Sequence, residues 1–435
     1  MSTRDLQDEV LEVATELIRL DTSNPPGNET PAARYLAGYL ESSGLETELA
    51  GPDPARLNLI SRIRGTGEGP SILFMAHTDV VPAPVDNWTV PPFEAVQRDG
   101  YLIGRGAVDM KNELAARAVA FARFARSGNR PKGDVVFIAE SDEERNTSDV
   151  GMSWLARERP DLMCDLAVNE GGGMLLELAG GGRAVTISVG EKLVTSLRLR
   201  IFGTAAHASV PDRSSNTLLS TATAVRRLFE YEPRVAVSDS VRRSLEALGC
   251  PEGTDESRLE WFSAQHEILA GLVPAMTRMS VTPTGLATHE PSNVIPPLAE
   301  IICDCRALPG QTEQDVRTHV AEALGDGIRF ELDFLEPMEG GFESDIDSPL
   351  YRVIEEYLAD RLPGAVLLPM VTPGFTDSHW VRQAAGTTAY GFAPVFDTSI
   401  ATYLESMHGA DERLKVSDLV EMASFHQYVL ERFAE

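Results

Sequence analysis

The 435-residue sequence has little positive charge. Lysine and arginine together number 38 against 66 aspartates and glutamates, which gives a formal net charge of −28 at pH 7. A chain this acidic would be repelled by phosphate backbones, so we expect no nucleic acid among its partners. By itself the acidity indicates no more than a well-solvated surface.

Long apolar runs and cysteines are also scarce. No stretch approaches the roughly 20 residues that a membrane-spanning helix needs. The amphipathic segment 1–20 lacks the apolar core and the cleavage site of a signal peptide. Cys303 and Cys305 stand two apart on a predicted strand, without neighbours that resemble a zinc knuckle. We therefore expect reduced thiols in a cytoplasmic protein that has no membrane partner.

Strand and helix patterns alternate in the first part of the chain. Residues 71–76, 134–139 and 165–169 are short apolar runs that predict buried strands, and residues 110–126 predict a helix between the first two. Such alternation is typical of an α/β domain with a mainly parallel sheet. The chain is longer than one hydrophobic core usually serves, so we expect two domains.

The middle of the chain changes pattern. Residues 192–203 alternate apolar and polar side chains, which predicts an antiparallel sheet with one wet face. Further strand-like segments and a helix that begins near Thr312 complete an α+β insert. We place this insert at 190–335, between two parts of the α/β domain at 1–189 and 336–435.

Each of the three predicted strands runs into acidic or histidine side chains. The first ends at His77, and the third is followed by Glu170. The second runs into the consecutive Glu143 and Glu144. Ligands of open α/β sheets bind beyond the carboxyl ends of the strands, so these side chains should meet at one edge. Carboxylates packed this closely repel one another unless a cation neutralises them.

Two glycine-containing loops add further candidates. In "GRGAVDMKN" the glycines deliver Asp109 to the start of a helix, where it could cap the helix or bind a ligand. "MHGADERL" adds His408. Two zinc ions about 3.5–4 Å apart, bridged by one carboxylate, would absorb the charge and activate a shared water. Because the side chains of Glu143 and Glu144 diverge, we expect one to bind metal and the other to take the proton of the water.

Eight ordered motifs resemble those of one enzyme family. They are, in chain order, "HTDVVP…W", "GRGAVDMK", "SDEE", "GTAAHAS", "PSNVIP", "DCRALPG", "GFTDSHW" and "MHGADERL". This is the two-zinc metallopeptidase family of aminoacylase, acetylornithine deacetylase, succinyl-diaminopimelate desuccinylase and glutamate carboxypeptidase. The resemblance covers nearly the whole chain. Residues 81–112 look most like the carboxypeptidase S and N-acyl amino acid hydrolase branch.

The resemblance implies an architecture and a ligand set. A zinc-exopeptidase-like catalytic domain would carry an inserted α+β lid, through which two chains form a homodimer. His77 and Glu170 would hold one zinc ion. Glu144 and His408 would hold the other, and Asp109 would bridge the two. Cobalt or manganese could replace zinc, because histidine and carboxylate ligands accept all three.

Catalytic and substrate-binding roles are implied in the same way. Glu143 would be the general base, and Asp79 would orient the imidazole of His77. His207, reaching in from the lid of the partner subunit, would stabilise the tetrahedral oxyanion. The implied substrate-binding residues are Asn293, Arg306, Thr376 and Asp377.

The implied activity is that of a zinc-dependent amidohydrolase that cleaves small N-acyl amino acids to a carboxylate and a free amino acid. Alternatives within the same chemistry are a dipeptidase or carboxypeptidase, and a deacylase of acetylornithine or succinyl-diaminopimelate. A non-catalytic metal-binding relative is disfavoured because Glu143 stands beside a full ligand set. A two-metal phosphohydrolase is disfavoured because Arg306 alone is a poor phosphate clamp.

Overall fold

The structure is a computed structural model that describes residues 3–145, 149–211, 216–338 and 340–434. The chain divides into two compact units. Unit 1 comprises Met1–Val189, Ser344–Met370 and Thr376–Glu435, and unit 2 comprises Gly190–Glu343 and Val371–Phe375.

The described residues form helices and strands throughout the chain. The helices are α1 (Thr3–Arg19), α2 (Thr30–Ser42), α3 (Lys111–Ser127), α4 (Met152–Glu158), α5 (Thr217–Glu230), α6 (Asp239–Ala247), α7 (Asp255–Ser263), α8 (Glu267–Thr277), α9 (Glu313–Leu324), α10 (Pro349–Arg361), α11 (Ser378–Ala385), α12 (Ile400–Ser406) and α13 (Val416–Arg432). The strands are β1 (Thr47–Ala50), β2 (Asn58–Ile63), β3 (Ile72–His77), β4 (Val96–Arg98), β5 (Tyr101–Ile103), β6 (Val135–Glu140), β7 (Leu166–Asn169), β8 (Leu175–Glu177), β9 (Arg183–Glu191), β10 (Leu193–Phe202), β11 (Ala206–His207), β12 (Ser280–Ala287), β13 (Val294–Ile295), β14 (Leu298–Ala307), β15 (Phe330–Phe334), β16 (Ala365–Thr372), β17 (Thr388–Gly391) and β18 (Arg413–Lys415). Of these helices, none has both the length and the apolar character needed to cross a membrane.

The largest sheet is mixed and has a parallel centre. Its strand order is β1-β2-β6-β3-β7-β17-β9-β16, and β8 pairs with β9. β3 is parallel to both β6 and β7, and β17 is parallel to β7. β2 and β9 add antiparallel pairs on either side. The mainly parallel α/β fold that the alternating pattern predicts is therefore confirmed.

The central strands are buried along their whole length. Every residue of β3 and β6 is buried, which explains why their sequences are unbroken apolar runs. α3 packs against α1 and α13 and is buried on nearly all sides, where its many alanines allow close approach. It ends at Gly128, whose φ of 76° is a left-handed conformation that glycine adopts without steric cost.

Unit 2 contains an antiparallel sheet with the order β12-β14-β10-β15. β10 alternates buried and half-buried residues, as the pattern predicts. α5 and α9 cover the buried face, where Cys303 and Cys305 lie as free thiols. The sequence patterns did not predict α6, α7 and α8, because these helices are short and α8 contains Pro274. Their N-terminal caps at Ser238 and Thr254 were the available signal.

His426 is a buried histidine in the core of unit 1. Within the described part of the chain, neither of its ring nitrogens has a hydrogen-bond partner. Phe74 and Phe425 contact its ring, with centroids 5.7 and 5.0 Å away. Burial, and then the charge of Arg117, lowers the pKa of His426 well below its ordinary value. The folded chain therefore keeps this imidazole neutral while the unfolded chain protonates it below about pH 6.5, so stability falls as the pH drops through that value.

A His426→Phe substitution is expected to raise the melting temperature near pH 7 and to make its decline toward about pH 5 less steep. The substitution removes two buried nitrogens without partners, each of which costs about 1–3 kcal/mol. Thermal unfolding at both pH values measures the effect. A His289→Gln variant, changed at an exposed histidine, is the control and should keep the wild-type pH dependence. An unchanged acid dependence in His426→Phe would contradict a neutral, unpaired His426.

Candidate metal centre

The ends of three parallel strands place acidic and histidine side chains together in unit 1. β3 ends at His77, β6 leads into Glu143, and β7 leads into Glu170. The carboxyl ends of parallel strands meet at one edge of the sheet, which is where α/β folds bind their ligands. Gly391 ends β17 beside the backbone of Glu170. A side chain at this position would clash, because its Cβ would lie 1.7 Å from the carbonyl oxygen of Glu170.

The imidazole of His77 turns one nitrogen toward the acids. Its side chain is 1% exposed, and Nδ1 lies 2.9 Å from the carbonyl oxygen of Asp79. Because a carbonyl oxygen can only accept, Nδ1 donates, and Nε2 faces Asp109 Oδ1 at 3.1 Å and Glu170 Oε2 at 3.7 Å. A metal-ligating histidine is held in this way, with its second nitrogen fixed by a hydrogen bond.

Asp109 lies between two histidines. Its Oδ1 is 3.1 Å from Nε2 of His77, and its Oδ2 is 3.0 Å from Nε2 of His408. Each oxygen thus faces a different imidazole, as a bridging carboxylate requires. The Asp109–Met110 peptide bond is cis. Met110 occupies the N-cap position of α3, so the alternative that Asp109 caps this helix is wrong.

Glu144 meets His408 on the far side of Asp109. Its Oε2 lies 3.2 Å from Nε2 of His408, and its side chain is 5% exposed. Its Oε1 is buried and has no hydrogen-bond partner among the residues that the structure describes. Hydrogen bonds to Asp109 and Glu144 raise the pKa of His408 to about 10. This side of the cluster therefore favours a bound positive charge.

Glu143 and Glu170 form a second group of candidate ligand atoms with His77. The ligand atoms form two groups, each with all its atoms within 4.8 Å of one another, namely His77, Glu143 and Glu170, and His77, Asp109 and Glu144. Burial, followed by the charges of Glu170 and Asp377, raises the pKa of Glu143 well above its ordinary value. Glu143 and Glu144 thus each belong to one of the two groups, so these distances do not show which glutamate binds metal. The division of base and ligand between the two glutamates stays a prediction.

This donor set fits divalent metal ions. Imidazole nitrogens and carboxylate oxygens suit zinc, cobalt and manganese. Burial raises the pKa of Glu144, and its unpaired Oε1 is costly to bury unless a cation binds there. Asp109 offers one oxygen to each side of the cluster, which fits two ions better than one. The five residues expected to bind metal all lie in this cluster, namely His77, Asp109, Glu144, Glu170 and His408.

Asp79 fixes the turn that carries the two glutamates. Its carboxylate is fully buried and accepts the backbone N–H of Glu143 and that of Glu144, both at 3.2 Å. Asn24 donates to it from Nδ2 at 2.8 Å. Its Oδ1 also lies 3.5 Å from Nδ1 of His77. Asp79 therefore holds the backbone of the glutamate turn, and its implied role in orienting the imidazole of His77 stays a prediction.

A buried network of side-chain hydrogen bonds adjoins the turn of Glu143 and Glu144, and the sequence patterns did not predict it. Asn24 donates to Asp142 at 2.9 Å, and Arg56 donates to both Asp142 and Glu29. Asp142 has a φ of 67°, a left-handed conformation that costs a non-glycine residue on the order of 1 kcal/mol and that its surroundings must impose. Asn24 and Arg56 stand 118 and 86 residues before Asp142, so no local spacing indicates these contacts.

Thr376 and Asp377 are buried just ahead of α11 in unit 1. Oδ2 of Asp377 has no hydrogen-bond partner in the described segments. Burial, followed by the carboxylates of Glu140 and Asp79, raises the pKa of Asp377 well above its ordinary value. Asp377 thus belongs to the acidic cluster, and the substrate-binding role of both residues stays a prediction.

Unit 2 holds the remaining three candidates. His207 is exposed on the ribbon of β11 and β13, where the N–H of Ala208 donates to the carbonyl oxygen of Asn293 at 2.9 Å. The ribbon brings His207 and Asn293 to neighbouring positions. Arg306 lies on β14 and donates from Nε and Nη2 to the carboxylate of Asp304, at 2.9 and 3.0 Å. Asp304 thus engages Nε and Nη2 of Arg306, and the substrate-binding roles of Asn293 and Arg306 stay predictions.

Known proteins share this sequence pattern. A family model described as peptidase family M20/M25/M40 matches residues 73–432. The succinyl-diaminopimelate desuccinylase of Bradyrhizobium sp. (strain ORS 278) is 27% identical over 438 residues, which cover 98% of this chain and 99% of that protein. The N-fatty-acyl-amino acid synthase/hydrolase PM20D1 of Homo sapiens is 27% identical over 371 residues, which cover 80% of this chain and 72% of that protein.

A solved structure shares the fold. The M20 family metallo-carboxypeptidase Sso-CP2 from Sulfolobus solfataricus is similar with a TM-score of 0.71 at 17% identity, over 98% of this chain and 99% of that one. The family model covers well over half of the sequence, so the family resemblance drawn from the eight motifs is confirmed. The chain belongs to peptidase family M20/M25/M40 and is a metal-dependent hydrolase of peptide or amide bonds.

Proposed function

We propose that the chain hydrolyses the amide bond of N-acyl amino acids and releases a carboxylate and a free amino acid. The observation that carries this proposal is the carboxylate of Asp109, whose two oxygens face His77 and His408. Two zinc ions held on either side of it would polarise the scissile carbonyl and lower the pKa of water. The name of the human relative, an N-fatty-acyl-amino acid synthase/hydrolase, supports this substrate class.

Residues of unit 1 bind the metal ions, transfer the proton and position the base. The metal ligands are His77, Asp109, Glu144, Glu170 and His408. Glu143 takes a proton from the attacking water and passes it to the leaving amine. Asp79 keeps Glu143 in place, because its carboxylate accepts the backbone N–H of that residue. These assignments rest on the contacts within unit 1 together with the family resemblance.

Residues of unit 2 would complete the site. His207 of the partner subunit stabilises the oxyanion, while Asn293 and Arg306 bind the carboxylate or the carbonyl of the substrate. A homodimer through residues 190–335 is supported by β12, which is an end strand of its sheet. α5 also exposes Leu218, Leu219 and Phe229, by 50%, 55% and 80%. The edge of an end strand and exposed apolar side chains are surfaces that a second copy can cover.

Deacylation of succinyl-diaminopimelate is the second candidate. The desuccinylase relative is matched over 99% of its length, whereas the human relative is matched over 72%. Identity is 27% to both, so identity does not separate the two activities. Both reactions release an amino acid from an acyl group, and the same metal centre serves either.

A substrate panel tests the proposal. Chelator-stripped protein is reloaded with zinc, cobalt or manganese and offered N-acetyl and long-chain N-acyl amino acids, matched dipeptides, acetylornithine and succinyl-diaminopimelate. We expect release of amino acid from the N-acyl amino acids, reduced at least about 100-fold by chelation and restored by metal. Cleavage of succinyl-diaminopimelate alone would favour the second candidate. Reloaded protein that cleaves only dipeptides would make the chain a peptidase and contradict the proposal.

A further inference from the structure

A buried ion pair lies behind the facing side chains of Asp109 and His408. Glu412 is fully buried, and its Oε1 accepts the backbone N–H of Val108 at 2.7 Å and that of Asp109 at 3.0 Å. Its Oε2 accepts a hydrogen bond from Nη1 of Arg105. One carboxylate therefore fixes the backbone that carries the bridging aspartate and is held in turn by a buried guanidinium.

Arg105 connects this carboxylate to the loop of His408. Its Nη2 donates to the carbonyl oxygen of His408 at 3.2 Å, and its guanidinium carbon lies 5.3 Å from the ring centroid of Trp88. His408 and Asp411 have φ values of 58° and 53°, which non-glycine residues keep only where their surroundings impose them. Asp411 accepts the backbone N–H of Thr89 at 2.8 Å. Arg105 and Thr89 thus hold the loop at two points.

We infer that Arg105 and Glu412 are positioning residues that keep Asp109 and His408 at the spacing needed to bind one metal ion together with Glu144. The inference rests on the proposed metal centre. Asp109 and Glu412 stand 303 residues apart, so their two loops meet only through tertiary contacts. The ion pair is such a contact, and it touches the backbone of both loops. Groups that orient a metal ligand in this way raise metal affinity by about 10–100-fold.

Two substitutions separate the contacts of this pair. Glu412→Gln keeps the shape of the side chain but has one oxygen, so it can accept from the backbone N–H groups or from Arg105 and not from both. Arg105→Lys keeps a positive charge beside Glu412 but loses the fork that reaches Glu412 and His408 together. Glu9→Gln is the matched control, because Glu9 is also paired with arginines, Arg123 and Arg126.

Zinc titration of the chelator-stripped 435-residue chain, in competition with a chromophoric chelator, tests the inference. In Glu412→Gln and in Arg105→Lys, the zinc equivalent held with His408 is expected to bind about 10–100-fold more weakly, and the other, which shares only Asp109 with it, is expected to weaken less. Glu9→Gln should bind both as the wild type does. Arg105→Lys, the milder change, gives the answer if Glu412→Gln does not fold.

Affinity for zinc distinguishes positioning from a purely structural role. Variants that melt earlier but bind both zinc equivalents with wild-type affinity would overturn the inference. Wild-type protein that binds fewer than two equivalents would overturn the proposed metal centre instead.

Discussion

A Glu143→Ala substitution is expected to lower turnover by about 10²–10⁴-fold while both metal equivalents stay bound. The substitution removes the group that accepts the proton of the attacking water. It leaves the contacts of Asp109 with His77 and His408 intact. The turnover number and the metal content are measured on the same preparation, so that loss of chemistry is separated from loss of metal.

Glu144→Ala is the matched comparison for this experiment, because it changes the neighbouring glutamate in the same turn. It is expected to lose both activity and one metal equivalent, since Oε2 of Glu144 faces His408 at 3.2 Å. The comparison is decisive because Glu143 also lies within 4.8 Å of ligand atoms of His77 and Glu170. An inactive Glu143→Ala protein with only one bound metal would show that the two roles are reversed or shared.

Mixing His207→Ala protein with Glu143→Ala protein is expected to restore activity once subunits exchange. Each variant alone lacks one group at every site. In a mixed dimer, one site combines an intact Glu143 with an intact His207 of the partner subunit. Random pairing of equal amounts makes about half of the dimers mixed, with one intact site in each, so about a quarter of the wild-type activity should return.

The control for this complementation is each variant mixed with itself under the same exchange conditions. Mixed dimers are isolated with two affinity tags, and hydrolysis of the best panel substrate is measured on them. Activity no higher than that of the separate variants would show that His207 does not act across a subunit interface. It would leave the roles of the residues within unit 1 untouched.

The strands at the centre of the fold were predictable because each is an unbroken apolar run buried on both faces. The same runs located the site, since His77 ends β3, Glu143 lies in the turn after β6, and Glu170 directly follows β7. The sheet fixes the position of each strand end and of the residue there. A strand pattern in the local sequence is therefore enough to predict where such a residue lies. Two glycine-containing loops added Asp109 and His408 as candidates, and the family resemblance then implied their roles.

Contacts between distant segments could not be predicted in this way. Asn24 reaches Asp142 across 118 residues, and Glu412 reaches Asp109 across 303. Periodicity and capping signals describe only a few neighbouring residues, so they carry no information about such pairs. Arg105 and Glu412 nevertheless stand inside two of the quoted motifs. In each motif a charged residue stands four positions from a predicted metal ligand, and this spacing is the signal that could have drawn attention to them.

The position of α13 determines the order in which unit 1 can form. This helix packs against α1 and α3, although about 290 residues separate its start from the end of α3. His408 and Glu412 lie just ahead of α13. They therefore leave the ribosome long after β3, β6 and β7, whose ends carry the other residues of the acidic cluster. A nascent chain can therefore pair β3 with β6 early but cannot close its acidic edge until residues 408–412 have been synthesised. Until α13 is made, the apolar faces of α1 and α3 that it covers stay exposed. We expect chaperones to bind the nascent chain chiefly at this stage of synthesis.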